Sequence, residues 1–185
     1  MVQQGSGSHN NRKKRRAYLD DFTRAADGSY IYTGITYDYQ GQRQDLRRRT
    51  AALGGVSAVM LAAAVACGCV SVPGMGRCFY VVLPYCLSLI AAASLAWGAG
   101  RLIAGGDPLR AYVYDATVKQ FSLRYGLTAI GAAAALIGEA VYLLLNGAEG
   151  MVFGAVLFLI CQGLLLAGVL VWRRVLGTMD WLPSD

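Results

Sequence analysis

Four long apolar runs, separated by short polar segments, dominate the pattern of the chain. They cover residues 50–72, 78–104, 123–146 and 151–172. A helix of about 20 apolar residues, rising about 1.5 Å per residue, crosses the hydrocarbon core of a bilayer, and each run reaches that length. Because lipid offers the backbone no hydrogen-bond partner, such runs form helices. The pattern therefore predicts four membrane-spanning helices.

Composition and charge support this interpretation. The chain has 185 residues, of which 56% are hydrophobic and only 15% charged, whereas soluble domains have about 25% charged residues. The first 50 residues hold 10 of the 17 lysines and arginines. These features exclude a disordered chain, a disulfide-stapled secreted domain and an ordinary soluble enzyme. They indicate a small polytopic membrane protein.

The positive charges also predict which way the helices face. All lysines and arginines except Arg77 fall in or next to the N-terminal arm, the loop between the second and third runs, or the C-terminal tail. The positive-inside rule then puts both termini and this central loop in the cytoplasm. Because the first apolar run begins about 50 residues into the chain, we expect an uncleaved signal anchor. The expected location is a bacterial-type plasma membrane.

Three parts follow from this division: a basic, tyrosine-rich arm (1–49), a membrane domain (50–173) and a short tail (174–185). In the arm, apolar residues at helical spacing predict a short helix over 17–26. Aromatic and β-branched residues predict a β-hairpin over 30–39. The predicted fold class is an all-α membrane protein: a four-transmembrane-helix bundle with both termini cytoplasmic, plus a small cytoplasmic N-terminal helix and hairpin.

The central loop contains a second helix signal. Asp107 followed by Pro108 predicts a helix start, because Asp caps a helix N-terminus and Pro suits the first helical position. This helix and the hairpin would lie on the same side of the membrane. They would offer a docking surface for a cytoplasmic protein partner, although tyrosines near lipid headgroups need no partner to explain them.

Clustered arginines raise the question of an anionic partner. The basic run 12–16 is typical of nucleic-acid-binding segments, but on a four-span protein such charges set topology and contact anionic lipid. We therefore expect an anionic inner leaflet as the partner and no nucleic acid. Arg47, Arg48 and Arg49 would lie at the level of the lipid phosphates.

Small residues recur every four positions in the first two runs. The ladders are Gly54, Ala58, Ala62 and Ala66, and Ser88, Ala92, Ala96, Gly100 and Ala104. Such ladders let helix backbones approach closely, which replaces the missing hydrophobic drive in lipid. They predict tight packing within the chain and leave a homo-oligomer open.

Glu139 is the acidic residue deepest inside a predicted span, and ionisable residues there are functional candidates. Its helical face is small and polar, so Glu139 should point inward. Tyr85 lies at a similar depth in the second span, which permits a hydrogen bond between them, and burial would favour the protonated carboxyl. Three interpretations of Glu139 follow: a neutral structural group, a site that binds a proton or cation, or a group close enough to water to have little effect. Gln162, in the middle of the fourth run, is expected to join helices through a hydrogen bond.

The five cysteines offer no redox or metal motif. Cys67, Cys69 and Cys78 cluster around the first short loop, where Cys69 and Cys78 either form a disulfide or remain free, buried thiols. The spacing is not Cys-x-x-Cys, and no histidine accompanies them. We expect no metal, no cofactor and no catalytic residue.

These observations favour a non-enzymatic protein over an enzyme. The leading expectation is an accessory or scaffold subunit that docks a cytoplasmic or membrane partner. The alternative is a small transporter or channel that uses Glu139, for which a water-filled path to that residue would be the deciding feature.

Overall fold

The computed structural model describes residues 22–24, 28–148 and 150–184. Within these ranges the chain is mostly helical and has five short strands. The elements in chain order are β1 (Phe22–Arg24), β2 (Tyr30–Tyr32), β3 (Thr36–Tyr39), α1 (Arg43–Gly68), α2 (Phe79–Gly105), β4 (Leu109–Arg110), α3 (Ala111–Ala116), α4 (Val118–Asn146), α5 (Val152–Leu176) and β5 (Trp181–Ser184).

In the described part of the chain, four helices are long and apolar enough to cross a membrane, which confirms the predicted number of spans. The first differs most from its predicted bounds, since α1 begins at Arg43 and ends at Gly68. Arginine, glutamine and leucine favour helix, so the helix extends back into the polar arm. The helix ends four residues before the predicted end at residue 72. Pro73 and Gly74, which disfavour helix, follow in the loop after it.

The four long helices pack side by side, and we call them the helical core. Helix α1 contacts α2 and α5, and α4 contacts the same two helices. Phe121 of α4 and Trp172 of α5 lie fully buried with their ring centroids 4.7 Å apart. On the outer surface, Phe79 and Leu144 are 81% and 86% exposed. Such exposed apolar surface is costly in water and suits lipid.

Glycines bring α4 and α2 close together. A Cβ at Gly131 would lie 2.8 Å from the backbone nitrogen of Ser88, and one at Gly138 would lie 2.7 Å from the carbonyl oxygen of Tyr80. No side chain fits at either distance, so the backbones are in direct contact. This is the kind of packing that small residues permit in membrane helices.

The small-residue ladders pack within the chain only in part: in the second span Ser88 and Ala92 are buried, whereas Gly100 and Ala104 are exposed. Ala58, Ala62 and Ala66 are exposed on the outside of α1, so the prediction that they pack within the chain is wrong. The buried face of α1 carries larger residues, including Leu53 and Met60, whose side chains make the contacts between helices there. A homo-oligomer through the exposed ladder stays a prediction.

Two small sheets add strands to the predicted all-α fold. Strand β3 pairs antiparallel with both β4 and β5, with Thr36 opposite Arg110 and Ser184. Strand β2 pairs with β1 instead of β3. The strands of 30–39 are therefore present, but the hairpin predicted between them is not formed, because each finds a partner elsewhere in the chain.

The predicted N-terminal helix over 17–26 lies mostly outside the described residues. Its described part, Phe22–Arg24, is strand β1 and not helix. Aromatic and β-branched side chains in β2 favour an extended partner, and the pairing with Tyr30–Tyr32 overrides the helical spacing of this segment.

The helix predicted from Asp107 begins three residues later than expected, at Ala111. Asp107 does not cap it: the carboxylate accepts the Tyr39 backbone N–H at 3.5 Å and pairs with Arg43 at 3.5 Å. Leu109 and Arg110 are held as strand β4 by β3. We call β3, β4, β5 and α3 together the cap; it brings the arm, the central loop and the tail to one end of the helical core.

Candidate functional site

Glu139 lies on α4 and is fully buried. Its helix packs inward through Thr128, Ala132, Ala135 and Tyr142, which are also buried, as the spacing predicts. The position of Glu139 in the helical core follows from this stripe of small and polar residues, because the larger aliphatic side chains of α4 occupy its outer face.

A backbone group, not a hydroxyl, holds the carboxylate of Glu139. The Gly74 N–H donates to both oxygens, at 3.2 and 3.4 Å. Gly74 belongs to the loop over 69–78, which we call the short loop. A Cβ at Gly74 would collide with the Glu139 carboxylate and lie 3.0 Å from Val81 and 3.2 Å from Tyr142. The contact therefore requires glycine.

The short loop closes its end of the helical core. Val72, Pro73 and Gly74 are buried between the helix ends. A Cβ at Gly154 of α5 would collide with the carbonyl group of Ser71, so the loop backbone lies directly on α5. Glu139 thus joins α4 to a loop that is buried between the ends of the long helices.

The hydrogen bond between Tyr85 and Glu139 that their similar depth permits is not formed. The Tyr85 hydroxyl donates to the backbone carbonyl of Ala64 at 2.9 Å. Gly68 leaves room for it, because a Cβ there would meet the tyrosine oxygen. Gly68 at the end of α1 therefore makes room for this partner, and similar depth in the membrane was insufficient to identify it.

Gln162 is fully buried on α5 and faces α1. Its side-chain amide nitrogen lies 4.0 Å from the sulfur of Cys67, a weak hydrogen bond between the two helices. Its carbonyl oxygen Oε1 has no partner in the described ranges. The contact agrees with the predicted role in joining helices. It engages the amide nitrogen of Gln162 but not the carbonyl oxygen.

All five cysteines are free thiols in the structure. Cys69 is exposed and Cys78 half-buried, at opposite ends of the short loop, and the disulfide alternative is not formed. No group of three or more His, Cys, Asp or Glu residues suited to a metal ion occurs in the residues that the structure describes.

The three arginines at the start of α1 have different surroundings. Arg47 and Arg48 are exposed, whereas Arg49 is half-buried and donates to the backbone carbonyl of Thr178 in the tail. Arg49 therefore joins α1 to the tail. The headgroup contacts predicted for Arg47 and Arg48 stay a prediction.

A cavity that sequence reasoning missed lies between the helical core and the cap. It has a volume of about 240 Å³ and is lined by Arg43, Arg47, Asp107, Trp181 and apolar residues of α1 and α2. The arginines alone were visible as a basic cluster. Trp181, from the tail, gave no signal that it would lie beside them.

Aromatic rings hold the cap together. Tyr37 of β3 stacks on Tyr114 of α3, with ring centroids 4.0 Å apart and planes at 9°. Trp181 of β5 lies 5.6 Å from the ring of Tyr39 and 6.5 Å from that of Tyr114. Offset and tilted aromatic pairs add stability beyond their buried area, so these rings join three distant segments of the chain.

Comparison of the chain with protein-family models, with curated proteins and with solved structures finds no match.

Proposed function

We propose that this protein is a non-enzymatic membrane scaffold, an accessory subunit that docks a protein partner beside the cap, at β2 and the residues that follow it. In this proposal the chain is a multi-pass protein of the plasma membrane with both termini in the cytoplasm. The observation that carries the proposal is the cap: β3, β4 and β5 come from the arm, the central loop and the tail and pair into one sheet. Three polar segments of a small membrane protein thereby form one ordered surface.

Exposed apolar side chains support docking next to this sheet. Tyr30 and Ile31 of β2 are 71% and 55% exposed, and Ile35 is also exposed. They lie outside the four candidate membrane spans, so lipid tails are not their natural cover. Exposed apolar groups of this kind are typical of surfaces that another protein covers. We infer a partner with an apolar face, in contact with β2 and the residues that follow it.

Glu139 is the basis of the transport alternative, and its surroundings support a structural role. The carboxylate is fully buried and accepts the Gly74 N–H. Val81 and Tyr142 surround the same contact. We propose that Glu139 fastens the short loop and carries no ion.

Photocrosslinking tests the docking proposal directly. A photoreactive amino acid in place of Ile31 should crosslink one protein in cells, whereas the same probe in place of Gln44, an exposed polar residue of α1, should not. Ile31→Asp should remove that protein from complexes purified in mild detergent, and Gln44→Asp should retain it. Equal crosslinking from both positions, or unchanged recovery with Ile31→Asp, would overturn the proposed surface.

A further inference from the structure

The cavity between α1, α2 and the cap combines cationic, hydrogen-bonding and apolar groups. Arg43, Arg47 and Asp107 line it together with Trp181. Asp107 pairs with Arg43 at 3.5 Å, whereas Arg47 has no ion-pair partner in the part of the chain described. The three charged side chains therefore leave one net positive charge at the cavity.

Trp181 supplies an unused hydrogen-bond donor. Its indole nitrogen is buried and has no acceptor among the residues that the structure describes. Indole N–H is a donor only, and a buried donor without an acceptor costs free energy. Because Trp181 lines the cavity, rotation of its ring would bring this donor to a ligand that accepts a hydrogen bond there, and negative charge on the same ligand would pair with Arg47.

The apolar part of the cavity reaches the outer surface of the helical core. Leu46, Leu102 and Ile103 lie in its wall, and Ile103 is 51% exposed on the outer surface of α2. A Cβ at Gly54 would lie 2.9 Å from Ile103 Cδ1, so α1 and α2 are in contact at the inner wall of the cavity. A ligand in the cavity would thus sit where α1 and α2 separate, at the end of two candidate spans.

Size restricts the ligand. Drug-sized ligands occupy pockets of about 300–1,000 Å³, and a volume of about 240 Å³ corresponds to about eight water molecules at roughly 30 Å³ each. A whole lipid does not fit, but a single headgroup does, with its acyl chains outside along Ile103.

We propose that this cavity binds the phosphate group of one anionic phospholipid. Arg47 contacts the phosphate, the Trp181 N–H donates to one of its oxygens, and Arg43, already paired with Asp107, completes the cationic side. Arginine is well suited to phosphate because its guanidinium group presents several donors in one plane. Basic pockets between membrane helices bind anionic headgroups in the same way. This site goes beyond the proposed docking function and does not depend on it.

The test measures lipid binding to the full chain. The protein in a neutral maltoside detergent is titrated with dioleoyl phosphatidylglycerol, and bound lipid is counted by native mass spectrometry. One phosphatidylglycerol should bind saturably per chain, and phosphatidylcholine should bind about tenfold more weakly. Inorganic phosphate alone forms a third arm, and it should not compete at millimolar concentration.

Matched variants locate the site. Arg47→Gln and Trp181→Phe should each weaken the first phosphatidylglycerol by about tenfold, and Trp181→Phe retains the ring that packs on Tyr39. Arg48→Gln, which removes the same charge outside the cavity, should change binding less than twofold. Asp107→Asn removes the negative charge, keeps an acceptor for the Tyr39 N–H, and should strengthen binding.

Three results would overturn the proposal. Equal weakening by Arg48→Gln and Arg47→Gln would show a general surface-charge effect. Unchanged affinity with Trp181→Phe would show that the Trp181 N–H does not donate to the lipid. This variant also tests the site if Arg47→Gln does not fold. Competition by millimolar phosphate would assign the cavity to a soluble anion instead of a lipid.

Discussion

The two ends of the helical core are closed in different ways. At one end the short loop lies directly on the helices, with the Gly74 N–H on Glu139 and the Ser71 carbonyl against Gly154. At the other end, charged and aromatic side chains meet and leave a cavity beside Arg47 and Trp181. Around Glu139 the loop backbone packs on glycine, and the groove of about 390 Å³ at this end lies along the short loop and Met151. At the other end, large side chains from separate segments enclose the cavity between them. The first end has the features of a structural contact, and the second has those of a binding surface.

The largest expected effect is on labelling from outside the cell. The two ends of the helical core should lie on opposite sides of the membrane, so one should be labelled fully and the other not at all. In a variant with Cys69 as its single cysteine, a membrane-impermeant maleimide should label intact cells. A cysteine-free variant that carries Gln44→Cys, at the end of α1 next to the cap, should be labelled only after permeabilisation, because the positive-inside rule predicts that this end lies in the cytoplasm.

Labelling of Gln44→Cys in intact cells would contradict this orientation. Both positions are exposed in the structure, so neither result arises from burial of the thiol. Labelling of Cys69 in the wild-type chain should also be the same with and without reductant, since all cysteines are free.

A smaller but measurable effect is expected from Gly74→Ala. The added methyl group collides with the Glu139 carboxylate and crowds Val81 and Tyr142, and overpacking of this kind costs about 1–3 kcal/mol. The melting temperature in detergent should fall accordingly.

Gly76→Ala is the matched control in the same loop. A Cβ at Gly76 meets nothing within 4 Å, so this change should leave stability unchanged or raise it slightly through the unfolded chain. If both substitutions lower the melting temperature equally, the packed contact with Glu139 is not what stabilises this end.

The smallest effect is expected from the side chain of Glu139 itself. Glu139→Leu removes the acceptor for the Gly74 N–H and should lower the free energy of unfolding by about 0.6–2 kcal/mol, the range for hydrogen bonds inside membranes. Glu139→Gln retains an acceptor oxygen at nearly the same size, so it should cost less than Glu139→Leu.

Liposomes separate this structural role from transport. Wild-type protein should give no proton, sodium or potassium flux at any pH, and Glu139→Gln should behave identically. Ion flux that is present in the wild type and lost in Glu139→Gln would support the transport alternative. It would contradict a purely structural role for the short-loop end.

Features that depend on short stretches of chain were predictable. The four spans follow from composition, and the inward face of α4 follows from the alternation of Thr128, Ala132, Ala135 and Glu139 with larger aliphatic residues. Sequence reasoning failed where a partner is distant. Similar depth permitted a hydrogen bond between Tyr85 and Glu139, yet the Tyr85 hydroxyl donates to Ala64, because depth does not specify rotation about the helix axis.

By itself, the sequence determined the four apolar helices, the buried position of Glu139 and the clustering of positive charge. These properties are local or periodic, and lipid enforces them because every backbone polar group must be satisfied within its own helix. The pairing of β3 with β4 and β5, the contact of Gly74 with Glu139 and the position of Trp181 beside Arg47 arise from the packing of the whole chain. Each of these joins residues far apart in the chain, and the partner is selected by which surfaces meet when the helices pack.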